Sequence, residues 1–317
     1  MNKTILVIAP YTKFNLSLSR NRVRFLDYLA HKNNVIVYND STENSFEIFM
    51  LKLIKQKINI DMILYYLIYH DTKLLISINS YLLKKMPVKK KICFIEDFYL
   101  ISIYYKFIKY LDFDTILLPM KNDKIKNKYK EYFDIPIKTW GFFHDTKLFR
   151  PMGLNKEHDI LFYGSIDKKY YPLGNKIYNI LLVLKNYLHD RIKIVTYYDK
   201  TDDTKYENLP ILINKSRYVI ATSGALDLFL KRYQEIILCG TKIIGDIPTG
   251  YDDVLKGHIY EIDKNDNDKE IVEKLLKYIN SDDIPINNKS IEKWASLYDF
   301  ENGYKLLDKY THSVVYG

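Results

Sequence analysis

The sequence predicts an α/β protein of two successive parallel sheets, each covered by helices, and three observations predict it. Short apolar runs alternate with longer amphipathic segments through the first half of the chain, the same rhythm restarts at Asp159, and Pro151 and Gly153 disfavour regular structure in between. A hinge or linker is therefore expected between Phe149 and Glu157. At 317 residues the chain is long enough for two domains that each bury a core.

In order along the first half, the expected strands are Thr4–Ala9, Val35–Val37, Met62–Leu67, Lys91–Ile95 and Asp114–Leu118. Their apolar runs suit a parallel sheet covered on both faces and joined by right-handed crossovers. Arg20–Ala30 reads as a helix, with Val23, Leu26 and Ala30 on one face and Arg20, Arg24 and Asp27 elsewhere. Phe98–Leu111 reads as another. The second half supplies strands Asp159–Tyr163, Ile192–Thr196, Tyr218–Ala221, Lys242–Gly245 and His258–Ile262. A helical pattern over Lys269–Ile279, the polar stretch Asn280–Asn288 and one last helix, Ser290–Tyr310, complete the chain.

The formal net charge is +9, with lysines crowded in the first half at Lys84-Lys85, Lys89-Lys90-Lys91 and Lys121 to Lys130. A solvated face accounts for these better than a nucleic-acid patch, while peripheral contact with a membrane stays open. The two cysteines, Cys93 and Cys239, lie in apolar patterns and read as reduced core thiols. The first apolar run is too short for a signal peptide and no run approaches the length of a bilayer span, so a soluble, cytoplasmic protein is expected. The histidines form no spaced cluster, and neither a phosphate-binding P-loop nor a complete G-x-G-x-x-G is present. Metal binding and Ser-His-Asp hydrolysis have no support.

The most informative stretch is Thr222 to Gly240. The apolar run Tyr218–Ala221 reads as a buried strand, Ser223-Gly224 breaks it, and an amphipathic segment follows that ends on Gly240, a glycine suited to the position just past a helix. Lys231 and Arg232 lie on that helix, whose first amides lack partners, so a phosphate-bearing ligand is the natural candidate. Asp227, Lys231 and Glu235 also have the i, i+4, i+8 spacing of an ordinary charge stripe.

Asp227, seven intervening residues, Glu235 and then Cys239-Gly240 resembles the acidic-x7-Glu…Cys-Gly pattern of nucleotide-sugar glycosyltransferases with the GT-B fold, the retaining "group 1" kind. Gly141 to Pro151 looks like the segment that leaves the first domain of such enzymes. Asp159 to Ser165 looks like the first strand and glycine turn of the second. The resemblance implies two Rossmann-like domains facing each other across a cleft: an acceptor domain over residues 1–150, a donor domain over 151–295 and a helix over 296–317 returning to the first domain. It implies transfer of a sugar from a nucleoside diphosphate sugar, UDP or GDP first, to a hydroxyl of a glycan, lipid or protein-linked acceptor, with retention and without a metal or other cofactor. Nucleic acid is the less favoured acceptor. A DNA-modifying transferase, a nucleotide-sugar epimerase and a non-catalytic binding member are the alternatives.

By resemblance, Glu235 accepts hydrogen bonds from the donor ribose and Asp227 approaches the donor sugar, although a longer Glu is usual there and Leu228, Phe229 and Leu230 replace glycine-rich residues. Arg232 and Lys231 would neutralise the departing diphosphate. Gly164, Ser165, Ser223 and Gly224 would let backbone approach the donor, with Lys168 and Lys169 as further cations; Gly174 stands where another cation is expected. In the first domain Glu96 and Asp97 follow a strand at the ligand-binding edge and are candidates to orient or deprotonate the acceptor, a helix N-cap being the other role open to Asp97. Ser17, Ser19 and Arg20 would line the acceptor side.

Overall fold

The computed structural model describes residues 3–8, 17–38, 46–67, 80–95, 101–119, 123–196, 207–281 and 286–312. Glu96 and Asp97 lie outside them, and so do the side chains of Ser17, Ser19 and Arg20, whose backbone forms the first turn of a helix. Contacts divide the chain into two compact units: Met1–Asn15, Arg22–Phe142 and Gly303–Gly317 in one, Leu16–Asn21 and Phe143–Asn302 in the other. No helix among the described residues is long and apolar enough to cross a membrane.

In chain order the first unit contains β1 (Thr4–Ile8), α1 (Ser17–Lys32), β2 (Asn34–Tyr38), α2 (Phe46–Lys55), β3 (Met62–Leu67), α3 (Ser80–Lys85), β4 (Lys90–Ile95), α4 (Ile101–Leu111), β5 (Thr115–Leu118), α5 (Asp123–Tyr132) and β6 (Ile137–Thr139). Its six strands are all parallel, in the order β2-β1-β3-β4-β5-β6. The expected strands are present. β6 is an addition: three residues after Pro136 are too few to show a pattern in the sequence. Both cysteines are free and buried, as core thiols should be, and burial pushes both thiols to high pKa.

The second unit continues with β7 (His158–Gly164), α6 (Pro172–Leu188), β8 (Ile192–Thr196), α7 (Leu209–Asn214), β9 (Ser216–Ala221), α8 (Lys231–Leu238), β10 (Lys242–Gly245), α9 (Asp252–Leu255), β11 (Ile259–Glu261), α10 (Asp268–Ile279) and α11 (Asn288–Tyr298), and α12 (Phe300–His312), most of which belongs to the first unit, follows. The strand order is β11-β10-β9-β7-β8, again all parallel. Alternation along the strands sorts the core into two layers. Ile160, Phe162, Tyr218, Ile220 and Ile244 pack with Ile177 and Leu181 of α6 and Ile271 and Leu275 of α10. Leu161, Tyr163, Val219, Ala221 and Ile243 face the other way, onto Leu212 and Ile213 of α7, Tyr233, Ile236 and Ile237 of α8, and Trp294. Each such buried side chain contributes about 1.5–3 kcal/mol, which is why both strand faces are mostly apolar.

Helix ends follow local chemistry. Pro172 opens α6 at a position where its missing amide hydrogen costs nothing, and Asn267 and Glu270 form a reciprocal capping box on α10. Two expectations are corrected. The last helix is two: Asp299 is extended (φ −77, ψ 164), its Oδ1 accepts the Asn302 amide at 2.7 Å, and it bridges to His144, so α11 stops and α12 starts afresh. Asp227 is not helical. The chain turns after Gly224 (φ +72), Asp227 takes a left-handed conformation (φ 57), and α8 begins only at Lys231. Asp227 therefore shares no helical stripe with Lys231 and Glu235. α12 crosses the boundary between the units at Gly303, and within the first unit the Trp140 indole N–H donates to the Gly303 carbonyl at 3.0 Å and the Tyr310 hydroxyl to that of Thr139 at 2.8 Å.

Candidate functional site

The strand registers of the second unit set Thr196 beside Gly164, and Ala221 beside Gly245 and Glu261, with β7 running one residue past the level of Ala221; together they form the carboxyl edge of the sheet, the edge where open α/β sheets bind ligands. Two side-chain clusters stand on that edge. Gly245 sets their spacing: a Cβ there would lie 1.7 Å from the Ala221 carbonyl oxygen, so only glycine lets these backbones approach.

The first cluster hangs from the start of α8. Arg232, second in the helix, lies with its guanidinium carbon 4.8 Å from the centre of the Tyr163 ring, a cation–π contact. It also covers Gly164. A Cβ on that glycine (φ +116) would come within 1.9 Å of Arg232 Nη2. One turn on, Glu235 is 1% exposed; its Oε2 accepts the Tyr163 hydroxyl at 2.9 Å, while Oε1 has no hydrogen-bond donor and lies 3.6 Å from the Lys231 ammonium. A buried acceptor left without a hydrogen-bond donor costs about 1–3 kcal/mol, which the neighbouring Lys231 charge offsets in part.

Behind it, His144 is fully buried. Its Nε2 donates to Gln234 Oε1 at 2.8 Å, which leaves Nδ1 as an acceptor without a partner. Burial pulls the His144 pKa down and outweighs the opposing pull of Glu235, so the ring is neutral.

The second cluster joins the loops after β9, β10 and β11. The Ser223 amide donates to Asp246 Oδ1 at 2.8 Å and its hydroxyl to Oδ2, while the Tyr233 hydroxyl donates to the Asp246 carbonyl at 2.8 Å. Lys264 donates to Asp227 Oδ1 and lies 3.5 Å from Asp246 Oδ2. The Thr249 amide completes the set at 3.2 Å from Asp227 Oδ2. Partial burial raises the Asp227 pKa, but the hydrogen bonds from Lys264 and Thr249 outweigh it and hold the carboxyl below its usual range. Gly224 packs on the Tyr170 carbonyl, which accepts the Ala225 amide at 2.8 Å, so the β9 loop is fastened to the loop after β7.

The structure thus brings Gly164, Lys231, Arg232 and Glu235 together, and Ser223, Gly224 and Asp227 beside them on the same sheet edge. Ser165 accepts the Asp167 amide at 3.2 Å, and Lys168 and Lys169 are solvent-exposed, Lys169 lying over the Tyr170 ring. Gly174 sits in the first turn of α6, where a Cβ would come 2.9 Å from Thr222 Oγ1; a cation there has no room. Sequence reasoning missed Tyr163, Asp246 and Lys264 and placed His144 only as part of an interdomain segment. Asp246 alone carried a signal, an acid directly after a buried strand. Among the described residues no group of three or more His, Cys, Asp or Glu side chains is placed to hold a metal ion.

No protein-family model matches the chain, and no curated protein sequence matches it. Solved structures do. The sucrose-phosphate synthase of Thermosynechococcus elongatus superposes with a TM-score of 0.66 at 10% identity, covering 98% of each chain. HepE of Anabaena, solved with UDP and glucose, gives 0.62 at 11% identity over 98% of this chain and 99% of its own. A glycosyltransferase from Rickettsia africae gives 0.61 at 13% identity over the whole of both chains. At these identities the likeness is one of architecture, and the architecture is GT-B.

Proposed function

We propose that this chain is a glycosyltransferase that takes a sugar from a nucleoside diphosphate donor held at the carboxyl edge of the second sheet. The observation that carries the reading is Glu235, a buried carboxylate with one oxygen fixed by Tyr163 and the other lacking a donor. Adjacent ribose hydroxyls are the donors it fits, since a carboxylate accepts and never donates. Arg232 and Lys231, at the first turn of a helix with no side-chain cap, would face the diphosphate and take up the negative charge that grows as the sugar leaves. That charge compensation supports a metal-independent reaction. Asp227 would lie toward the sugar.

UDP is the first donor nucleotide to test, GDP the second; HepE, solved with UDP and glucose, supports that order. The acceptor is a hydroxyl of a glycan, lipid or protein-linked group, with Glu96, Asp97, Ser17, Ser19 and Arg20 as its candidate contacts and retention as the stereochemical outcome. One observation favours a second reading, a binding protein without turnover: the glycines expected after Asp227 are Leu228 to Leu230.

Calorimetric titration with UDP-, GDP-, ADP- and TDP-sugars, with and without EDTA, tests the proposal. Binding of one donor that survives EDTA, followed by release of its nucleoside diphosphate in the presence of acceptor, is the expected result. Binding without release would favour the second reading. No response to any nucleotide would remove both.

A further inference from the structure

We propose that Lys264 is a positioning residue for donor-sugar recognition: by bridging Asp227 and Asp246 it fixes the Asp227 carboxylate at the sugar end of the site. The inference rests on reading that site as a nucleotide-sugar site, and goes beyond it by adding a residue from a loop that no sequence motif marks.

Asp227 is one of four described non-glycine residues with positive φ, a conformation that Asp tolerates better than most side chains but does not seek. No regular element holds it, because it falls between β9 and α8. Three contacts fix its carboxylate from outside: the Lys264 ammonium on Oδ1, the Thr249 amide on Oδ2, and, through Lys264, the buried Asp246 that also clamps Ser223. The loops after β9, β10 and β11 thereby share one charged network. Lys264 ties the outermost loop to the two inner ones.

The network is solvent-accessible where a ligand would meet it. The side chains of Asp227 and Lys264 are 31% and 45% exposed, whereas that of Asp246 is 4% exposed. A pair this open adds little to folding stability, because solvent screens it and two side chains must be held still. Its effect is orientational. A carboxylate turned by the loss of its cation would no longer be aimed at sugar hydroxyls, while Glu235 and Arg232, braced on Tyr163 and Gly164, would be undisturbed. Nucleotide recognition and sugar recognition should therefore separate in a Lys264 variant.

The test uses the full chain as wild type, Lys264→Met and Lys264→Arg. Affinities are measured for UDP against UDP-glucose and for GDP against GDP-mannose, with thermal unfolding and steady-state turnover alongside. Expected is nucleotide affinity within about twofold of wild type in both variants, with kcat in Lys264→Met down about 10- to 100-fold and the extra affinity for the sugar lost. Arg, which keeps the cation, should restore most of both. Unchanged sugar increment and turnover in Lys264→Met would overturn the inference while leaving the donor site standing. Equal loss of nucleotide affinity, sugar affinity and melting temperature would make Lys264 a structural brace, and overturn it too. A wild-type chain that binds none of the four ligands would overturn the donor-site reading, and this inference with it.

Discussion

Replacing Glu235 by Gln changes one charge and almost no volume, and separates binding from folding. The carboxylate makes one hydrogen bond, from Tyr163 at 2.9 Å, and its other oxygen is buried without one. An amide oxygen can accept the Tyr163 bond, so the variant forfeits little: the loose Lys231 ion pair at 3.6 Å is lost, the desolvation of a buried charge is relieved, and no cavity opens. Stability should stay within about 1 kcal/mol, equivalent to about 2–4 °C in melting temperature for a unit of this size. Donor binding should respond far more. Two ribose hydroxyls on a carboxylate form charge-assisted bonds, and losing about 1.5–3 kcal/mol of that interaction raises Kd about 10- to 150-fold. Isothermal titration with the nucleotide identified by screening, run beside differential scanning calorimetry, reads both quantities. A variant that binds within twofold of wild type refutes the ribose assignment. One that unfolds many degrees early with unchanged Kd shows that Glu235 serves the core alone.

Three further outcomes follow from the same geometry. Gly164→Ala should lower melting temperature and turnover together, because the new Cβ would overlap the Arg232 guanidinium at 1.9 Å and sit at a φ of +116 that L residues avoid; an unperturbed variant would contradict the packing of Arg232 on this strand end. Arg232→Ala should lower kcat more than it weakens donor binding, since its charge matters most as the diphosphate departs, and a pure KM effect in steady-state kinetics would contradict that. His258 is buried beside Lys242, and burial first, then that cation, lowers its pKa to about 4. The neutral ring therefore supports the fold fully above about pH 6.5, the unfolded value, and that support fades as pH falls toward 4. Chemical denaturation at pH 7 and pH 4.5 should show wild type losing more stability than His258→Gln; equal losses would refute the assignment.

What the sequence disclosed and what it withheld divide along physical lines. Strands of a covered parallel sheet are predominantly apolar, so Met62–Leu67, Ile192–Thr196 and Lys242–Gly245 were legible to the residue. Gly240 was legible as well, because a helix ending in the left-handed conformation (φ 72) needs it. The errors came where local periodicity and tertiary geometry disagree. Helical spacing runs unbroken through Asp299, yet that residue is extended and serves as a cap. Spacing also tied Asp227 to Lys231, while the turn after Gly224 gave it to Lys264 instead.

The same division explains why the candidate site was half visible. Arg232 and Glu235 stand on one helix, within a pattern four residues long, and any reading of that helix finds them. Their supports do not share it: Tyr163 is 72 residues from Glu235, and Asp246 is 23 from Ser223. Such partners meet only because parallel strands deliver their carboxyl ends to one edge, so the sheet order β11-β10-β9-β7-β8 must be known before they can be paired. In a parallel α/β unit, then, the groups that would touch a ligand are written locally and the groups that hold them still are written in the topology. Glu235 joins the two levels: its own helix places the carboxylate, while Tyr163, delivered by a distant strand, fixes one of its oxygens and leaves the other without a hydrogen-bond donor.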